Sequence, residues 1–178
     1  MNKNTSTRTG MEIAVIGMAG KFPKAENIRE YWKNLKSGKD CITFFSDDEL
    51  HLSKEEEALK RDPNYVKAKG YLGGKEFFDE KFFEYSKREA EIMEPQMRLF
   101  HQCVWAALED AGVNSQKDNS IGLYGGASSD TYWKLVTKLK SMGDNLTAFS
   151  DEQLTNEEFM CTKIAYKLNL KGPAVYVK

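Results

Sequence analysis

The sequence predicts an α/β fold with a mostly parallel sheet. Three short runs predict buried strands, at residues 11–17, 120–126 and 174–177, and the first of them is rich in β-branched residues. Patterns with a helical period lie between them, and strands that alternate with helices pack as layers around such a sheet. The third run occupies the last residues of the chain, so no later element completes its layer. The sequence therefore predicts a truncated domain.

The first elements follow a polar stretch, residues 1–10, which lacks the apolar segment of a secretory signal and is predicted to be a disordered lead-in. Residues 11–17, MEIAVIG, then end at a glycine and predict the first buried strand. A helix is predicted from Asn27 to Leu35, because its apolar residues recur at helical spacing. Gly38 is expected to stop it.

A second, charged helix is predicted from Ser46 or Asp47 through Leu59, with its run of glutamates facing solvent. Asp62-Pro63 should break it, and residues 64–74 should be extended and end in a Gly-Gly turn. Five aromatic residues come next and are predicted to pack on the following helix: Phe77, Phe78, Phe82, Phe83 and Tyr85.

The strongest helical pattern lies at residues 95–111 and predicts a central helix with one buried face. Pro95 suits its first turn, and Glu94 places a negative charge near the positive end of the helix dipole. Gly112 supplies a left-handed stop. The predicted buried face consists of Phe100, Cys103, Val104, Ala107, Leu108 and Ala111.

The second half of the chain predicts two further helices between the last two strands. Residues 128–139 have a helical pattern for which Ser128 is the expected cap. Residues 150–153 have the form of a capping box, predicted to open a helix that carries Phe159, Met160, Ile164 and Leu168. Gly172-Pro173 is a turn that leads into the third strand.

Composition excludes several classes of function. The 178 residues include 26 basic and 27 acidic side chains, a net charge of −1, so no basic excess points to nucleic acid or to an anionic membrane. No apolar run approaches the roughly 18 residues that a membrane span needs. The three cysteines, Cys41, Cys103 and Cys161, show no CxxC spacing and predict neither a disulfide framework nor a zinc site. His51 and His101 share no metal-ligand spacing, and the predicted location is the cytoplasm.

Two glycine-containing motifs are candidate sites. GMAGK at residues 17–21 follows a predicted strand, but its spacing fits neither phosphate-binding motif, so a strand-to-helix turn is the better interpretation. GGASSD at residues 125–130 lacks the G-x-S-x-G order of a nucleophile elbow, and its small residues predict a closely packed backbone turn. Cys103 and Cys161 lie within helical patterns, where no source of thiolate stabilisation is evident. Cys41 lies in a loop.

Several blocks of the chain together resemble the N-terminal part of a β-ketoacyl synthase, the ketosynthase domain of modular type I polyketide synthases. The most specific block is FDEKFFEYSKREAEIMEPQMRLF, residues 78–100. It lies between EIAVIGMAGKFPKAENIREYWKNLKSG with DPNYVKAKGYL on one side and WAALEDAG, IGLYGGASSDTYW and KIAYKLNLKGPAVYV on the other, in the family's order. DPNYVKAKGYL and EYSKREAEIM are most similar to ketosynthases of polyketide and mixed polyketide–peptide assembly lines.

The resemblance implies a thiolase-like layered fold, of which residues 11–178 would be the N-terminal portion. It also implies decarboxylative Claisen condensation. In this reaction a cysteine takes an acyl chain from an acyl carrier protein, and the acyl chain is then joined to a carrier-bound malonyl unit. Substrates would be carried on the phosphopantetheine of the carrier, with no cofactor bound directly. The complete domain would be a homodimer.

The family's nucleophile follows the GPAVYV strand, and this chain ends before it; both family histidines lie further on. The resemblance therefore transfers no catalytic, cofactor-binding or metal-binding residue to this sequence and predicts that the chain is inactive alone. Two alternatives remain open: a non-catalytic docking or scaffolding fragment that binds the remainder of the domain or a carrier protein, and part of a non-condensing pseudo-ketosynthase. Glu94 stands where the family has Asp.

Overall fold

The computed structural model describes residues 10–50, 56–115, 117, 120–140 and 145–178. Most of the predicted lead-in, residues 1–9, lies outside these ranges. Six α-helices are described: α1 Ile28–Lys36, α2 Lys87–Ile92, α3 Pro95–Asp110, α4 Thr131–Lys140, α5 Asn145–Thr155 and α6 Met160–Lys167. Four short strands are described: β1 Thr43–Phe44, β2 Ala68–Lys69, β3 Leu123–Gly125 and β4 Ala174–Tyr176.

The strands form two separate pairs. β3 and β4 are parallel, with Leu123 opposite Ala174 and Gly125 opposite Tyr176. This pair confirms the second and third predicted strands and their parallel arrangement. β1 and β2 form an antiparallel pair that the sequence did not predict, because two-residue strands carry no periodic signal.

The core lies where α3, α5 and α6 pack around β3. Its largest fully buried side chains are Met93, Met97, Leu154, Met160, Ile164, His101 and Cys161. The central helix is confirmed as α3, with Pro95 in its first turn and the Glu94 carboxylate accepting from the Met97 N–H at 3.1 Å. Gly112 adopts the left-handed conformation expected of a helix stop, with φ +66°.

The buried face of α3 differs from the prediction. The six predicted residues are only partly buried, whereas Met97 and His101 are fully buried. Phe100 packs toward β3, and the His101 ring lies edge-on to the aromatic residues that precede α2. β3 and the aromatic residues contact different sides of α3, so its buried residues do not form a single apolar stripe.

The predicted first strand, residues 11–17, is wrong for this structure. No strand is assigned there, and Ile13 is 94% exposed and Val15 77% exposed. A strand needs a hydrogen-bonded neighbour, and no described strand pairs with this stretch. Its end is nonetheless anchored on α3, since the Met18 N–H donates to Asp110 at 2.8 Å.

The aromatic prediction is confirmed for four of its five residues. Phe82 contacts Trp105 of α3 edge-on, with ring centroids 4.8 Å apart. Phe78, Phe83 and Tyr85 surround His101 at centroid distances of 5.3 to 5.7 Å. Phe77 is exposed instead.

Helix boundaries show where local signals sufficed. α1 confirms the first predicted helix, with Asn27 accepting from the Glu30 N–H and Gly38 at φ +63° after its end. The charged helix predicted from Ser46 is wrong at its start, where Ser46 and Glu49 form a turn. Residues 51–55 of this prediction lie outside the described ranges. A 3-10 helix, Glu56–Arg61, is present instead and ends directly before Asp62-Pro63.

The two later helix starts are also displaced. α4 is capped by Asp130, which accepts from the Trp133 N–H at 2.8 Å, whereas Ser128 does not cap it. Ser150 lies inside α5 rather than at a helix start. A break at Asn156, whose side chain accepts from the Glu158 N–H, separates α5 from a 3-10 turn, Glu157–Phe159, and α6.

Candidate functional site

The carboxyl ends of β3 and β4 meet at one edge of the parallel pair, because the two strands run in the same direction. At this edge, residues 125–128 comprise the last residue of β3 and the three residues after it, and residues 177–178 come directly after β4. We call these two segments the carboxyl edge. In α/β proteins ligands bind outside the carboxyl ends of parallel strands, so this edge is the candidate site.

Glycines allow the two segments to approach each other closely. A Cβ atom added to Gly126 would lie 2.5 Å from the carbonyl oxygen of Val177. One added to Gly125 would lie 2.7 Å from the Phe100 ring and 3.2 Å from the sulfur of Cys161. No side chain fits at such distances. The sequence prediction of a closely packed turn at residues 125–130 is therefore confirmed for its glycines.

Hydrogen bonds hold the two segments together. The Val177 N–H donates to the Gly125 carbonyl at 2.8 Å, which continues the pairing one residue beyond β4. The Tyr176 hydroxyl donates to the carbonyl of Ala127, also at 2.8 Å. Together these bonds fix the path by which the chain leaves β4.

A third connection joins this edge to the start of α3. Gln96 donates from Nε2 to the Ser128 carbonyl at 2.9 Å, and its Oε1 accepts from the Ser128 N–H at 3.3 Å and from the hydroxyl at 3.2 Å. The same amide donates to Glu94 at 3.1 Å. Ser128, predicted as a helix cap, thus binds α3 instead.

The Glu94 carboxylate lies beneath this connection and is buried. Burial raises the pKa of Glu94, and the hydrogen bonds from Gln96 and from the Met97 N–H act in the opposite direction. Capping of the α3 N-terminus and the helix dipole both favour a carboxylate at this position. Glu94 is therefore explained as a structural group of the edge.

The two cysteines that lie on described helices do not form an activated nucleophile. Cys161 is buried under the edge, where its thiol contacts the Gly125 carbonyl at 3.7 Å, and burial raises its pKa. Burial also raises the pKa of Cys103, although the Lys21 backbone N–H opposes this shift. Both groups are therefore thiols at neutral pH, the less reactive form. Cys41 is partly exposed in its loop.

His101 is the buried polar group that sequence reasoning missed. Its Nδ1 lies 2.7 Å from the Met97 carbonyl and its Nε2 lies 3.0 Å from the Tyr85 hydroxyl. Nδ1 therefore donates to the carbonyl and Nε2 accepts from the hydroxyl. The clustered aromatic residues were the available signal, since they predicted a buried surface against this turn of α3. His51 lies outside the described residues.

The GMAGK segment packs against α3 beside a small cavity. A Cβ on Gly17 would lie 2.6 Å from the Ala107 carbonyl, so this glycine allows the segment to contact α3. The neighbouring cavity has a volume of about 350 Å³ and is lined in part by Lys21, Gln102 and Cys103. Within the described ranges, no three potential metal-ligating side chains are grouped around a common point. In the same part of the chain, no helix is long and apolar enough to cross a membrane.

The carboxyl edge of parallel strands is where α/β proteins commonly bind ligands. Comparison with known proteins identifies the family of this chain. The family model described as "Beta-ketoacyl synthase, N-terminal domain" matches residues 11–178. The chain is 38% identical to a phenolphthiocerol/phthiocerol polyketide synthase of Mycobacterium tuberculosis, over 93% of this chain and 12% of that protein. It is 36% identical to the polyketide synthase PksN of Bacillus subtilis, over 93% of this chain and 3% of that protein.

Solved structures agree with the sequence comparison. Ketosynthase twelve of the bacillaene polyketide synthase in Bacillus amyloliquefaciens matches with a TM-score of 0.79 and 36% identity, over 93% of this chain and 29% of that one. The ketosynthase from module 1 of the bacillaene synthase from Bacillus amyloliquefaciens FZB42 matches with a TM-score of 0.76 and 36% identity, over 93% and 28%.

The chain belongs to the β-ketoacyl synthase family. It corresponds to the N-terminal portion of a polyketide synthase ketosynthase and has the thiolase-like layered fold, as the sequence blocks predicted. It spans less than a third of the solved ketosynthases and between 3 and 12% of these two polyketide synthases.

Proposed function

We propose that this chain supplies the carboxyl edge of a polyketide ketosynthase and that a cysteine beyond Lys178 takes the acyl chain from an acyl carrier protein. The carrier-bound malonyl unit then loses CO₂, and the resulting enolate carbon attacks the thioester carbonyl, so that the acyl chain moves to the carrier-bound unit and the cysteine leaves as a thiolate. Both substrates are carried on phosphopantetheine, and the reaction takes place in the cytoplasm. The observation that carries this proposal is the fixed exit of β4 at the edge, which lies directly before the family's nucleophile position.

The chain alone is inactive in this proposal, because burial keeps Cys103 and Cys161 in the less reactive thiol form and the nucleophile is placed beyond Lys178. Both ring nitrogens of His101 are already hydrogen-bonded, to the Tyr85 hydroxyl and to the Met97 carbonyl. In this proposal residues 11–178 are the N-terminal portion of the domain, and the catalytic residues lie outside them. Residues 11–178 hold the start of the next segment in position.

An acyl-transfer assay tests this function. The chain is incubated with an acyl-pantetheine thioester, and acyl adducts are located by intact-protein and peptide mass spectrometry. We expect no adduct on Cys41, Cys103 or Cys161, and one adduct on a downstream cysteine when the polypeptide that continues the reading frame is included. Stoichiometric acylation of any of the three would contradict inactivity of the isolated chain.

A docking role is the second candidate, favoured by the exposed apolar stretch at residues 11–16. Large exposed apolar surfaces in soluble proteins mark interaction sites, and Ile13 is 94% and Val15 77% exposed. The partner would be the remainder of the domain. Size-exclusion chromatography with light scattering, on the chain alone and with the downstream polypeptide, should show a stable complex, and two independent monomers would argue against it.

A non-condensing ketosynthase is distinguished by one sequence observation. The coding sequence immediately after Lys178 should place a cysteine in the turn that follows β4. Another residue there would show that the parent domain does not form the acyl-enzyme. The edge would then have a binding role only.

A further inference from the structure

Gln96 forms a hydrogen-bonding arrangement that the folding of α3 does not require. Gln96 is the second residue of α3. The helix is already capped by Glu94, whose carboxylate accepts from the Met97 N–H. The Gln96 side chain instead pairs with both backbone groups of Ser128, 32 residues away in sequence. A glutamine amide is suited to this because it donates and accepts at once, as a peptide group does.

Ser128 is the last residue of the β3 side of the carboxyl edge. Within that segment, Ala127 accepts from the Tyr176 hydroxyl, Gly126 lies against the Val177 carbonyl, and Gly125 accepts from the Val177 N–H. Each of these contacts reaches the chain as it leaves β4. A shift of residues 126–128 would therefore change the position of residues 177–178.

We infer that Gln96 is a positioning residue for the acyl-transfer reaction, an inference that rests on the proposed function. It acts through residues 126–128 and holds the exit of β4 in the geometry that the following nucleophile requires. Gln96 itself does not contact the reacting atoms. Its amide connects the start of α3 to the edge, so that helix and sheet are fixed relative to each other at the site.

Glutamate is the most informative substitution, because Gln96→Glu keeps the shape of the side chain and removes the donor. The carboxylate cannot donate to the Ser128 carbonyl, and it would lie beside the Glu94 carboxylate, to which the amide now donates. Gln102→Glu is the matched control. Gln102 lies on the same helix and donates to the Phe77 carbonyl at 2.8 Å, away from the edge.

Hydrogen–deuterium exchange on this chain tests the connection without any assumption about activity. For this experiment we use Q96L, which also removes the acceptor of the Ser128 N–H, and we expect the peptide containing residues 126–128 to exchange about tenfold faster, since loss of a hydrogen bond is worth about 1 kcal/mol or slightly more. The matched control Q102L should leave this peptide unchanged. Unchanged exchange in Q96L would overturn the inference.

Acylation kinetics on the longer protein, containing this chain and the downstream cysteine, test the positioning role. We expect Q96E to lower the maximal acylation rate by roughly 10- to 100-fold, with KM for the acyl donor nearly unchanged, because the nucleophile is displaced while the donor site is intact. An equal rate in Q96E and wild type would overturn the inference. Absence of acylation in the wild type would instead refute the proposed function, and the exchange experiment would still decide whether Gln96 fixes the edge.

Discussion

At the scale of single residues, His101 shows how a titratable side chain is kept neutral in the core. It is fully buried among Phe78, Phe83 and Tyr85, and burial lowers its pKa to about 4. The hydrogen bond to the Met97 carbonyl favours the protonated ring and opposes this shift, whereas the charge of Lys167 adds to it. Burial is the largest of these effects.

The stability of the chain should therefore depend on pH through His101. The folded pKa is below the unfolded value of about 6.5, so the stabilising contribution is fully present above pH 6.5 and is lost as the pH falls toward 4. We expect H101Q to flatten the loss of unfolding free energy over this range by about 3 kcal/mol. Urea titrations at pH 4.5, 5.5 and 7 measure it.

The second histidine provides the control. H51Q, which removes the other imidazole of the chain, is measured alongside H101Q. An equal slope in H101Q and wild type would show that His101 is not the group that titrates.

At the scale of elements, an ion pair joins α2 to α5. Arg88 makes two parallel hydrogen bonds of 2.8 Å to the Asp151 carboxylate. Asp151 is buried, with 3% of its surface accessible, whereas the Arg88 side chain is about half exposed. The loss of unfolding free energy should therefore depend on which of the two partners is removed.

Removal of the arginine should cost more than removal of the charge on the aspartate. R88M leaves a buried carboxylate uncompensated, and we expect a loss of about 3 kcal/mol. D151N keeps one hydrogen-bonding oxygen and leaves the arginine where water can reach it, so about 1 kcal/mol is expected. Equal losses in urea unfolding would contradict this asymmetry. K87M, which removes a neighbouring exposed cation, serves as the control.

The elements also show which predictions a sequence supports. The Pro95 start and the helix stops at Gly38 and Gly112 are local signals, and each was predicted correctly. The helix start predicted at Ser150 was wrong because a capping box also occurs within a longer helix. The Ser128 cap was wrong because Gln96, a residue distant in sequence, takes its backbone groups.

At the scale of the whole molecule, residues 11–16 were predicted as buried and are exposed. Their composition describes a strand whose neighbour is absent from the described part of the chain. The family blocks identified the fold, but the connections of the carboxyl edge could not be predicted, because they join residues 96, 128 and 176 through backbone carbonyls. Sequence patterns depend on the side chains, and they do not indicate which distant backbone carbonyl a side chain will bind.

Charge introduced into this stretch should prevent docking without unfolding the chain. For the double variant I13E/V15E, we expect unchanged thermal unfolding, since both side chains are exposed, and at least roughly 100-fold weaker binding of the downstream polypeptide. Isothermal calorimetry measures the affinity. V66E, at an exposed valine on another segment, should bind normally; retained affinity in I13E/V15E would mean that the stretch is not the docking surface.

The pairing of β3 with β4 also has a consequence during synthesis on the ribosome. The paired residues Leu123 and Ala174 are about fifty positions apart, so β3 emerges well before its neighbour. At about 5 to 20 residues per second, β3 waits roughly 3 to 10 seconds for β4. During that interval the edge of β3 that later pairs with β4 is open to the solvent, and a chaperone that protects this edge must bind before β4 emerges.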